Sequence, residues 1–429
     1  MAVTLAGTTP ETVVEALAGT PLLRRLTAYL TTTADAITRE HLAITEIPAP
    51  PFHEAARAAF VADRLRDSGL SSVWQDTEGN VYGWLPGAEK TLARAPIVLA
   101  AHLDTVFPPG TNVNVRVQGT RLCAPGIADN ACGVAGLLAL ARAFVTQSIP
   151  FSGPVCFIGT VGEEGNGNLR GARAVVEQFP HMRSFIALDG PGLEHITCRA
   201  IGSRRFCVTF HGPGGHSWAD FGTVNPVHAL GEFISRVRRL PLRPGVACTV
   251  AIAGGGSAIN AIPTMAQGEV DCRAHRMADL DALEHALRLA AVEAQQSEIQ
   301  QATRQRRLSV AVQRLGERPA GETPSTSPLV RCAIAATRAC GRRPVLESGS
   351  TDANVPMALG IPAIAIGAGG EYGGCHTLEE WYDPVGRPQA LVRAALLVLA
   401  LDQLMVELPE PEARPLAASH AVSSLPEPE

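Results

Sequence analysis

The order of hydrophobic and polar residues between about Ala95 and Gly190 predicts strands that alternate with helices. Three apolar runs of strand length are separated by two stretches whose apolar residues recur at helical spacing. The strands are predicted in APIVLAAHLDTV, PVCFIGTVGEE and SFIALDG, and the helices in ACGVAGLLALARAFV and NLRGARAVVEQF. Such alternation is typical of a parallel sheet that carries helices on both faces.

The pattern changes after Gly192, where apolar and polar residues alternate as in half-buried antiparallel strands. These strands are predicted in RRFCVTFHG, ACTVAIAGG, QGEVDCRAH and RLSVAVQRLG, with helices at Pro226 to Arg239 and Leu280 to Glu298. From about Pro324 the first pattern resumes with a helix, the short strand PAIAIGAG and a final helix. We therefore predict an α/β fold: a mixed, mostly parallel sheet with helices on both faces, interrupted by a smaller α+β lid or dimerisation domain.

These changes divide the chain into segments. We assign residues 1–202 and 318–408 to a catalytic domain and residues 203–317 to an inserted lid or dimerisation domain. The final segment, 409–429, consists mainly of Pro, Ser, Glu and Ala without apolar periodicity. Because such a segment buries too little apolar surface to offset the entropy of ordering, we expect it to be disordered.

Composition narrows the class of protein. Of the 429 residues, 46% are hydrophobic and 18% are charged, which excludes a disordered chain and favours two domains. The net charge of -5 offers no basic surface for nucleic acid. The ten cysteines form no C-x-x-C pair, which favours free thiols in a reducing compartment. Since neither a signal-peptide pattern nor an unbroken apolar run of membrane-spanning length is present, we expect a cytoplasmic protein without a membrane partner.

Acidic residues and histidines cluster where the predicted strands end, the position at which open α/β sheets bind ligands. Each has a structural explanation by itself, because Asp is a preferred helix cap and adjacent glutamates suit a solvated turn. Together they bring carboxylates and imidazoles to one edge, in segments (HLD, ADN, GEE, LDG) that contain no Lys or Arg. Such donors suit zinc or a similar divalent ion. The candidates are His102, Asp104, Asp129, Glu163, Glu164, Asp189 and His376.

Seven motifs in this order resemble a known family. They are HLDTV, GIADNACGVAG, GTVGEEGNGNLRGAR, ALDG, GPGGHS, NAIPTMAQGEVDCR and GCHTLEEW. The chain resembles, over roughly residues 40–405, the zinc-dependent exopeptidases and deacylases that include glutamate carboxypeptidase, peptidase T, aminoacylase, acetylornithine deacetylase and succinyl-diaminopimelate desuccinylase. The resemblance is specific for the superfamily and much less so for the substrate.

The resemblance implies a dinuclear centre. Asp129 would bridge two divalent metal ions, for which Zn2+ is expected first and Co2+ or Mn2+ are alternatives. His102 and Asp189 would complete the protein ligands of one ion, and Glu164 and His376 those of the other. The peptide bond after Asp129 is typically cis in this family.

The resemblance also implies catalytic roles. Asp104 would orient His102, and Glu163 would be the general base that takes a proton from the metal-bound water. A metal-bound water has a pKa near 7, so a carboxylate can accept its proton at neutral pH. In the inserted segment, His216 resembles the histidine that stabilises the tetrahedral oxyanion and often reaches a partner subunit's site; by itself it suits a surface position equally well.

Three further residues are candidates for substrate binding. Asn260 and Arg273 match positions that contact the substrate or its carboxylate in relatives, and a guanidinium fork suits a carboxylate. Arg273 could equally be a surface residue paired with Asp271. Asp352, in SGSTDANVP, resembles a family segment that lines the substrate pocket.

We therefore expect a dinuclear metal-dependent exopeptidase or amidohydrolase that cleaves an amide bond of a small peptide or N-acyl amino acid. One alternative is a deacylase of a metabolic N-acyl amino acid; another is a metal-binding relative without catalysis. The resemblance also implies a homodimer formed through the inserted domain.

Overall fold

The computed structural model describes residues 9–86 and 94–405, so the predicted disordered segment lies outside the described residues. The helices of this part are α1 (Pro10–Ala18), α2 (Pro21–Thr32), α3 (Ala34–Thr45), α4 (Ala55–Asp67), α5 (Cys132–Thr146), α6 (Arg170–Gln178), α7 (Pro226–Arg238), α8 (Met277–Gln301), α9 (Pro328–Ala339), α10 (Asn354–Ala358) and α11 (Arg387–Met405).

The strands are β1 (Ser71–Gln75), β2 (Val81–Trp84), β3 (Ile97–His102), β4 (Arg116–Gln118), β5 (Arg121–Cys123), β6 (Val155–Thr160), β7 (Ser184–Leu188), β8 (His195–Ala200), β9 (Gly202–His211), β10 (Gly215–His216), β11 (Val246–Gly255), β12 (Ala261–Ile262), β13 (Met265–Ala274), β14 (Ser309–Arg318), β15 (Gly321–Glu322), β16 (Val345–Gly349), β17 (Ala363–Ile366), β18 (Glu371–Gly373) and β19 (Trp381–Asp383).

The main sheet is mixed. Its order is β1-β2-β6-β3-β7-β17-β8-β15, and β16 adds to β8. The central strands β6, β3, β7 and β17 run parallel to one another. The pairs β1–β2, β2–β6, β17–β8 and β8–β15 are antiparallel, and β16 pairs parallel with β8. The predicted fold class, a mixed and mostly parallel sheet with helices, is confirmed.

Side chains of the central strands alternate between two apolar cores. In β3, Ile97, Leu99 and Ala101 pack with the helices of one face, whereas Val98 and Ala100 pack with α6 and α10 on the other. All six β3 residues are buried. This explains why the strand reads as a continuous apolar run, since a parallel strand covered on both faces needs no polar side.

The helix α5 packs on this sheet and is mostly buried. Residues 127–146 are long and apolar enough to cross a membrane, yet 89% of that window is buried inside the fold. Its apolar character is therefore explained by packing against the sheet and neighbouring helices.

A second sheet, of order β11-β13-β9-β14, is antiparallel and carries α7 and α8 on one face. These elements share an apolar cluster distinct from those of the main sheet. The predicted inserted segment, 203–317, contains β9 to β14 except for one residue at each end. The domain boundaries themselves stay a prediction.

Candidate metal centre

Three neighbouring parallel strands bring candidate residues to one edge of the main sheet. β3 ends at His102, β6 is followed by Glu163 and Glu164, and β7 is followed by Asp189. Because β6, β3 and β7 adjoin and run in the same direction, their carboxyl ends meet at this edge. The four side chains therefore start from adjoining positions.

Asp129 reaches this edge from the turn that begins α5. Its backbone is extended, with φ -122° and ψ 98°, and the next residue, Asn130, is also non-helical within the turn Ile127–Ala131. The peptide bond between Asp129 and Asn130 is cis, as the family resemblance implies. The Asn130 amide donates a hydrogen bond of 2.9 Å to the Leu188 carbonyl, which fastens the turn to the end of β7.

The Asp129 carboxylate lies between two histidines, one facing each oxygen. His102 Nε2 lies 3.0 Å from Asp129 Oδ1 and 3.8 Å from Asp189 Oδ1. His376 Nε2 lies 3.1 Å from Asp129 Oδ2 and 3.3 Å from Glu164 Oε1. The five predicted metal ligands thus form two groups, each of one histidine and one carboxylate, that share Asp129.

The donor set fits metal ions. Asp129 Oδ1 is buried and has no hydrogen-bond partner among the described residues, although His102 Nε2 lies 3.0 Å away. An acceptor oxygen and an imidazole nitrogen that converge without a hydrogen bond suit coordination of a common cation. His102, Asp129 and Asp189 place one ligand atom each within 4.8 Å of one another, as do Asp129, Cys375 and His376.

The electrostatics of the centre favour added positive charge. Hydrogen bonds and negative charge from Asp129 and Glu164 raise the pKa of His376 to about 10. Burial opposes protonation of His102, but Asp104, Asp129 and Asp189 outweigh it and raise its pKa well above the usual value. In the absence of a metal, these carboxylates favour the protonated histidines. A divalent cation would replace the positive charge of those protons.

Asp104 is fully buried and joins the ends of β3 and β6. Its carboxylate accepts the backbone N–H groups of Glu163 (3.0 Å) and Glu164 (2.7 Å). His102 Nδ1 lies 3.1 Å from the Asp104 carbonyl oxygen and 3.7 Å from its carboxylate, so the main-chain oxygen is the hydrogen-bond partner. Asp104 therefore positions both glutamates as well as His102.

Glu163 is buried against a cation that the sequence analysis did not identify, Arg318. Arg318 Nη1 donates to Glu163 Oε1 at 2.9 Å, and Nη2 donates to the Glu163 carbonyl. Arg318 also donates to Ser350 Oγ at 3.1 Å. Burial raises the pKa of Glu163 well above its usual range; Arg318 opposes this shift, while Glu164 and Asp189 add to it. Only the fold brings β14 and the end of β6 together, so local sequence gives no signal for this pair.

A second residue without an assigned role, Glu380, holds the turn that presents Asp129. Its buried carboxylate accepts the backbone N–H groups of Gly126 (3.0 Å), Ala128 (2.7 Å) and Asp129 (3.0 Å). Burial raises its pKa to about 7, although these hydrogen bonds favour the charged form. Its position in GCHTLEEW, four residues after His376, was the available sequence signal.

A cavity of about 860 Å3 opens beside the centre and receives side chains from both sheets. Three arginines line it, Arg205, Arg273 and Arg318. Arg273 Nε donates to Asp271 at 2.7 Å, and Arg205 Nε lies 3.6 Å from the same carboxylate. Burial lowers the pKa of Arg205, and the nearby charge of Arg318 adds to this effect. Because Arg205 and Arg273 share one carboxylate, this part of the cavity wall carries an excess of positive charge.

The other predicted substrate residues lie elsewhere among the described residues. Asp352 does not line this cavity, although Ser350 and Thr351 do. Its buried carboxylate instead accepts a hydrogen bond from Thr160, and burial raises its pKa to about 6. Asn260 is exposed outside the cavity, and its carbonyl accepts the Ser217 N–H at 3.0 Å.

His216 also lies outside the cavity, on the exposed two-stranded ribbon of β10 and β12. Its Nδ1 accepts backbone N–H groups of Trp218 and Ala219, both at 3.2 Å. Because Nδ1 is occupied as an acceptor, a neutral His216 carries its proton on Nε2, which can donate to another group. Around it Trp218, Phe221 and Ile259 are exposed by 86%, 79% and 104%.

Comparison with known proteins identifies the family. The model of peptidase family M20/M25/M40 matches residues 98–402, which is most of the chain and includes every candidate ligand. The chain belongs to this family. As an M20 protein it is a hydrolytic enzyme of a metal-dependent class, and the family resemblance drawn from the seven motifs is confirmed.

The M20 chain is similar to relatives with two kinds of name, a carboxypeptidase and a desuccinylase. It is 26% identical over 363 residues to carboxypeptidase G2 of Pseudomonas sp. (strain RS-16), covering 81% of this chain and 84% of that one. It is 30% identical over 269 residues to succinyl-diaminopimelate desuccinylase of Paracoccus denitrificans (strain Pd 1222), covering 56% and 69%.

Solved structures share the M20 fold. Aminopeptidase PepT from Bacillus cereus superposes with a TM-score of 0.68 at 22% identity, covering 87% of this chain and 99% of that chain. The YXEP protein of Bacillus subtilis, described as a dinuclear metal-binding peptidase from the M20 family, gives 0.65 at 17% identity, with coverage of 88% and 99%.

Proposed function

We propose that this enzyme is a dinuclear metal-dependent hydrolase that cleaves an amide bond of a small peptide or N-acyl amino acid. The observation that carries the proposal is the position of Asp129, whose two carboxylate oxygens each face a histidine that is paired with a further carboxylate. We assign His102, Asp129 and Asp189 to one ion and Asp129, Glu164 and His376 to the other. Zn2+ is the ion that this donor set suits best.

Glu163 is proposed as the general base. When bound, the two ions would polarise the scissile carbonyl and lower the pKa of the attacking water. Glu163 is next to the ligand Glu164, lines the cavity and has a raised pKa, so it can accept a proton from that water and return it to the departing nitrogen. Asp104 accepts the backbone N–H groups of both glutamates, which fixes the position of the base Glu163 relative to the ligand Glu164.

The cavity supports a substrate with a free carboxylate. Arg205 and Arg273 lie on the wall contributed by the second sheet and share a single counter-charge, Asp271. A guanidinium binds a carboxylate through two parallel hydrogen bonds, so this wall suits the carboxylate of a peptide or N-acyl amino acid. Both similar enzymes, a carboxypeptidase and a desuccinylase, carry names compatible with such a group.

The variant Glu163→Gln tests this function. Both its turnover and its metal content are measured, so that loss of the base can be told apart from loss of the metal. Metal-loaded wild-type protein should hydrolyse members of a panel of dipeptides, tripeptides and N-acyl amino acids. Glu163→Gln should keep two ions per chain by elemental analysis and lose at least about 100-fold in turnover, the range expected for removal of a general base. Undiminished turnover would remove Glu163 from this role, and the panel itself separates peptidase from deacylase.

We further propose a cytoplasmic homodimer formed through the second sheet. The support is that His216, whose Nε2 can donate, lies outside its own chain's cavity and beside exposed Trp218, Phe221 and Ile259. The ten free cysteines agree with a reducing compartment. Light scattering of Trp218→Asp/Ile259→Asp against wild type tests the dimer; a wild-type mass that already equals one chain contradicts it.

A further inference from the structure

Two cysteines face each other across neighbouring strands of the second sheet, away from the metal centre. β11 is the edge strand of this sheet and pairs only with β13 within it. In that pairing Cys248 of β11 lies directly opposite Cys272 of β13. Their Sγ atoms are 3.7 Å apart, with Cys272 placed to donate its S–H to Cys248. Both thiols are free.

The position of the pair is compatible with a covalent bond. Residues directly opposite in an antiparallel pair point to the same face, with Cβ atoms roughly 4.5–5.5 Å apart. A disulfide brings Cβ atoms to about 3.5–4.5 Å, so closure requires a movement of about 1 Å. Within one chain, β11 is hydrogen-bonded on one side only, so it can make this movement more easily than an interior strand.

The two thiols differ in access and in acidity. Cys272 is fully buried, whereas Cys248 is half-buried at the sheet edge. The hydrogen bond from Cys272 lowers the pKa of Cys248, and the same contact together with burial raises the pKa of Cys272. The accessible thiol is therefore also the one that forms a thiolate more readily, which is the reactive species in thiol chemistry.

We propose that Cys248 and Cys272 form a modification site at which a hydroperoxide oxidises the two thiols to a disulfide. The Cys248 thiolate attacks one peroxide oxygen and becomes a sulfenic acid, and the O–O bond breaks with release of hydroxide or alkoxide. The Cys272 sulfur then attacks the sulfenic sulfur, forming the S–S bond and releasing the sulfenic oxygen as water with the Cys272 proton. For hydrogen peroxide, two thiols and one peroxide give one disulfide and two water molecules.

The bond would fix the edge of the second sheet. Cys272 lies between Asp271 and Arg273, which form an ion pair, and Arg273 lines the cavity. The strand β11 pairs with one edge of β13. Linking residues 248 and 272 stops β11 from separating from β13. Amide hydrogen exchange in Val246–Gly255 should therefore slow by at least about tenfold on oxidation, since exchange at an edge strand depends on local opening.

The test uses the full-length, metal-loaded protein and hydrogen peroxide. The protein is treated with one to ten equivalents, its remaining thiols are alkylated, and it is digested without reductant. Mass spectrometry should find two peptides linked through Cys248 and Cys272. Their mass should be two hydrogen atoms below the sum of the reduced peptides, and dithiothreitol should separate them.

Cys207 is the matched control. It is a half-buried cysteine of β9 in the same sheet, and its sulfur lies 3.6 Å from the Thr209 hydroxyl. Cys248 should be consumed at least about tenfold faster than Cys207, because Cys248 faces a second thiol at 3.7 Å that can resolve its sulfenic acid.

Variants separate the two chemical steps. Cys272→Ser should stop the reaction at a sulfenic acid on Cys248 that dimedone traps, Cys248→Ser should leave Cys272 reduced, and Cys207→Ser should behave as wild type. The proposal is overturned if wild-type Cys248 accumulates sulfinic acid without the linked peptide, if it joins another cysteine instead, or if Cys207 reacts as fast. None of these readouts depends on hydrolytic activity, so the result stands whether or not the proposed function holds.

Discussion

Replacing Arg318 by methionine tests whether the buried cation stabilises Glu163. Methionine keeps much of the aliphatic length but loses the 2.9 Å ion pair and the hydrogen bonds to the Glu163 carbonyl and to Ser350. The side chains of Arg318 and Glu163 are only 7% and 6% exposed, so water cannot replace the lost partner. Removing one member of a buried ion pair costs about 3–5 kcal/mol.

Protonation of Glu163 limits this cost at low pH. The unfolded carboxyl ionises near its ordinary pKa of 4.5, whereas burial raises the pKa of folded Glu163 well above it, and loss of Arg318 raises it further. Between these two values the folded state binds more protons than the unfolded state, so stability falls as pH rises. The difference between Arg318→Met and wild type should therefore be about 1 kcal/mol at pH 5 and reach about 3 kcal/mol at pH 8.

The assay is urea unfolding of metal-free protein at pH 5, 6.5 and 8, with a double-mutant cycle as control. Glu163→Gln/Arg318→Met removes both charges, so it should recover about 2 kcal/mol relative to Arg318→Met alone. A loss at pH 8 below about 1 kcal/mol, an equal loss at pH 5 and pH 8, or simple additivity in the cycle would refute this reasoning.

Three further predictions follow from the centre and its supports. Asp129→Asn should reduce bound zinc from two ions to at most one per chain by elemental analysis, because both groups of ligands share this carboxylate; full occupancy would contradict the shared role. Because Asp129 and Glu164 raise the pKa of His376 to about 10, a metal must displace its proton. Apparent zinc affinity by calorimetry should therefore fall by up to about tenfold per pH unit from pH 8 to pH 6, and a flat profile would contradict a protonated His376 in the metal-free centre. Gly126→Ala forces a Cβ at φ +76° to within 2.6 Å of the Thr105 methyl and should destabilise by about 1–3 kcal/mol in thermal unfolding, more than Gly119→Ala at φ +63° with open space around it; equal losses would show that the contact with Thr105 is relieved.

Much of the fold could be predicted because long elements have clear periodicity. The apolar run of β3 and the alternation of β9, β13 and β14 follow directly from burial on two faces or on one. Short strands such as β4, β5 and β18 have only three residues and show no period, so they were not predicted. The helices α1 to α4 lie before the segment in which the alternating pattern was traced, and they too were not predicted.

The candidate centre could be predicted because its residues follow parallel strands. The carboxyl ends of parallel strands meet at one edge of the sheet, which brings these residues together. Arg318 was not predictable, because its partner Glu163 is 155 residues away in sequence and no local pattern marks a buried pair. The family resemblance also predicted that the segment containing Asp352 lines the substrate pocket. Neighbouring residues of an irregular loop point in different directions, however, so only part of the segment does so. Ser350 faces the cavity, and the Asp352 carboxylate faces Thr160.

The division of the candidate ligands along the chain sets the time at which the centre can assemble during synthesis. His102, Asp129 and Asp189 are synthesised before the second sheet, and His376 is synthesised after it. Two supports of the early residues also come late in the chain: β17, which pairs with β7, and Glu380, which accepts the Asp129 N–H. Because domains form as the chain emerges, neither group of candidate ligands can be fully held until translation is nearly finished.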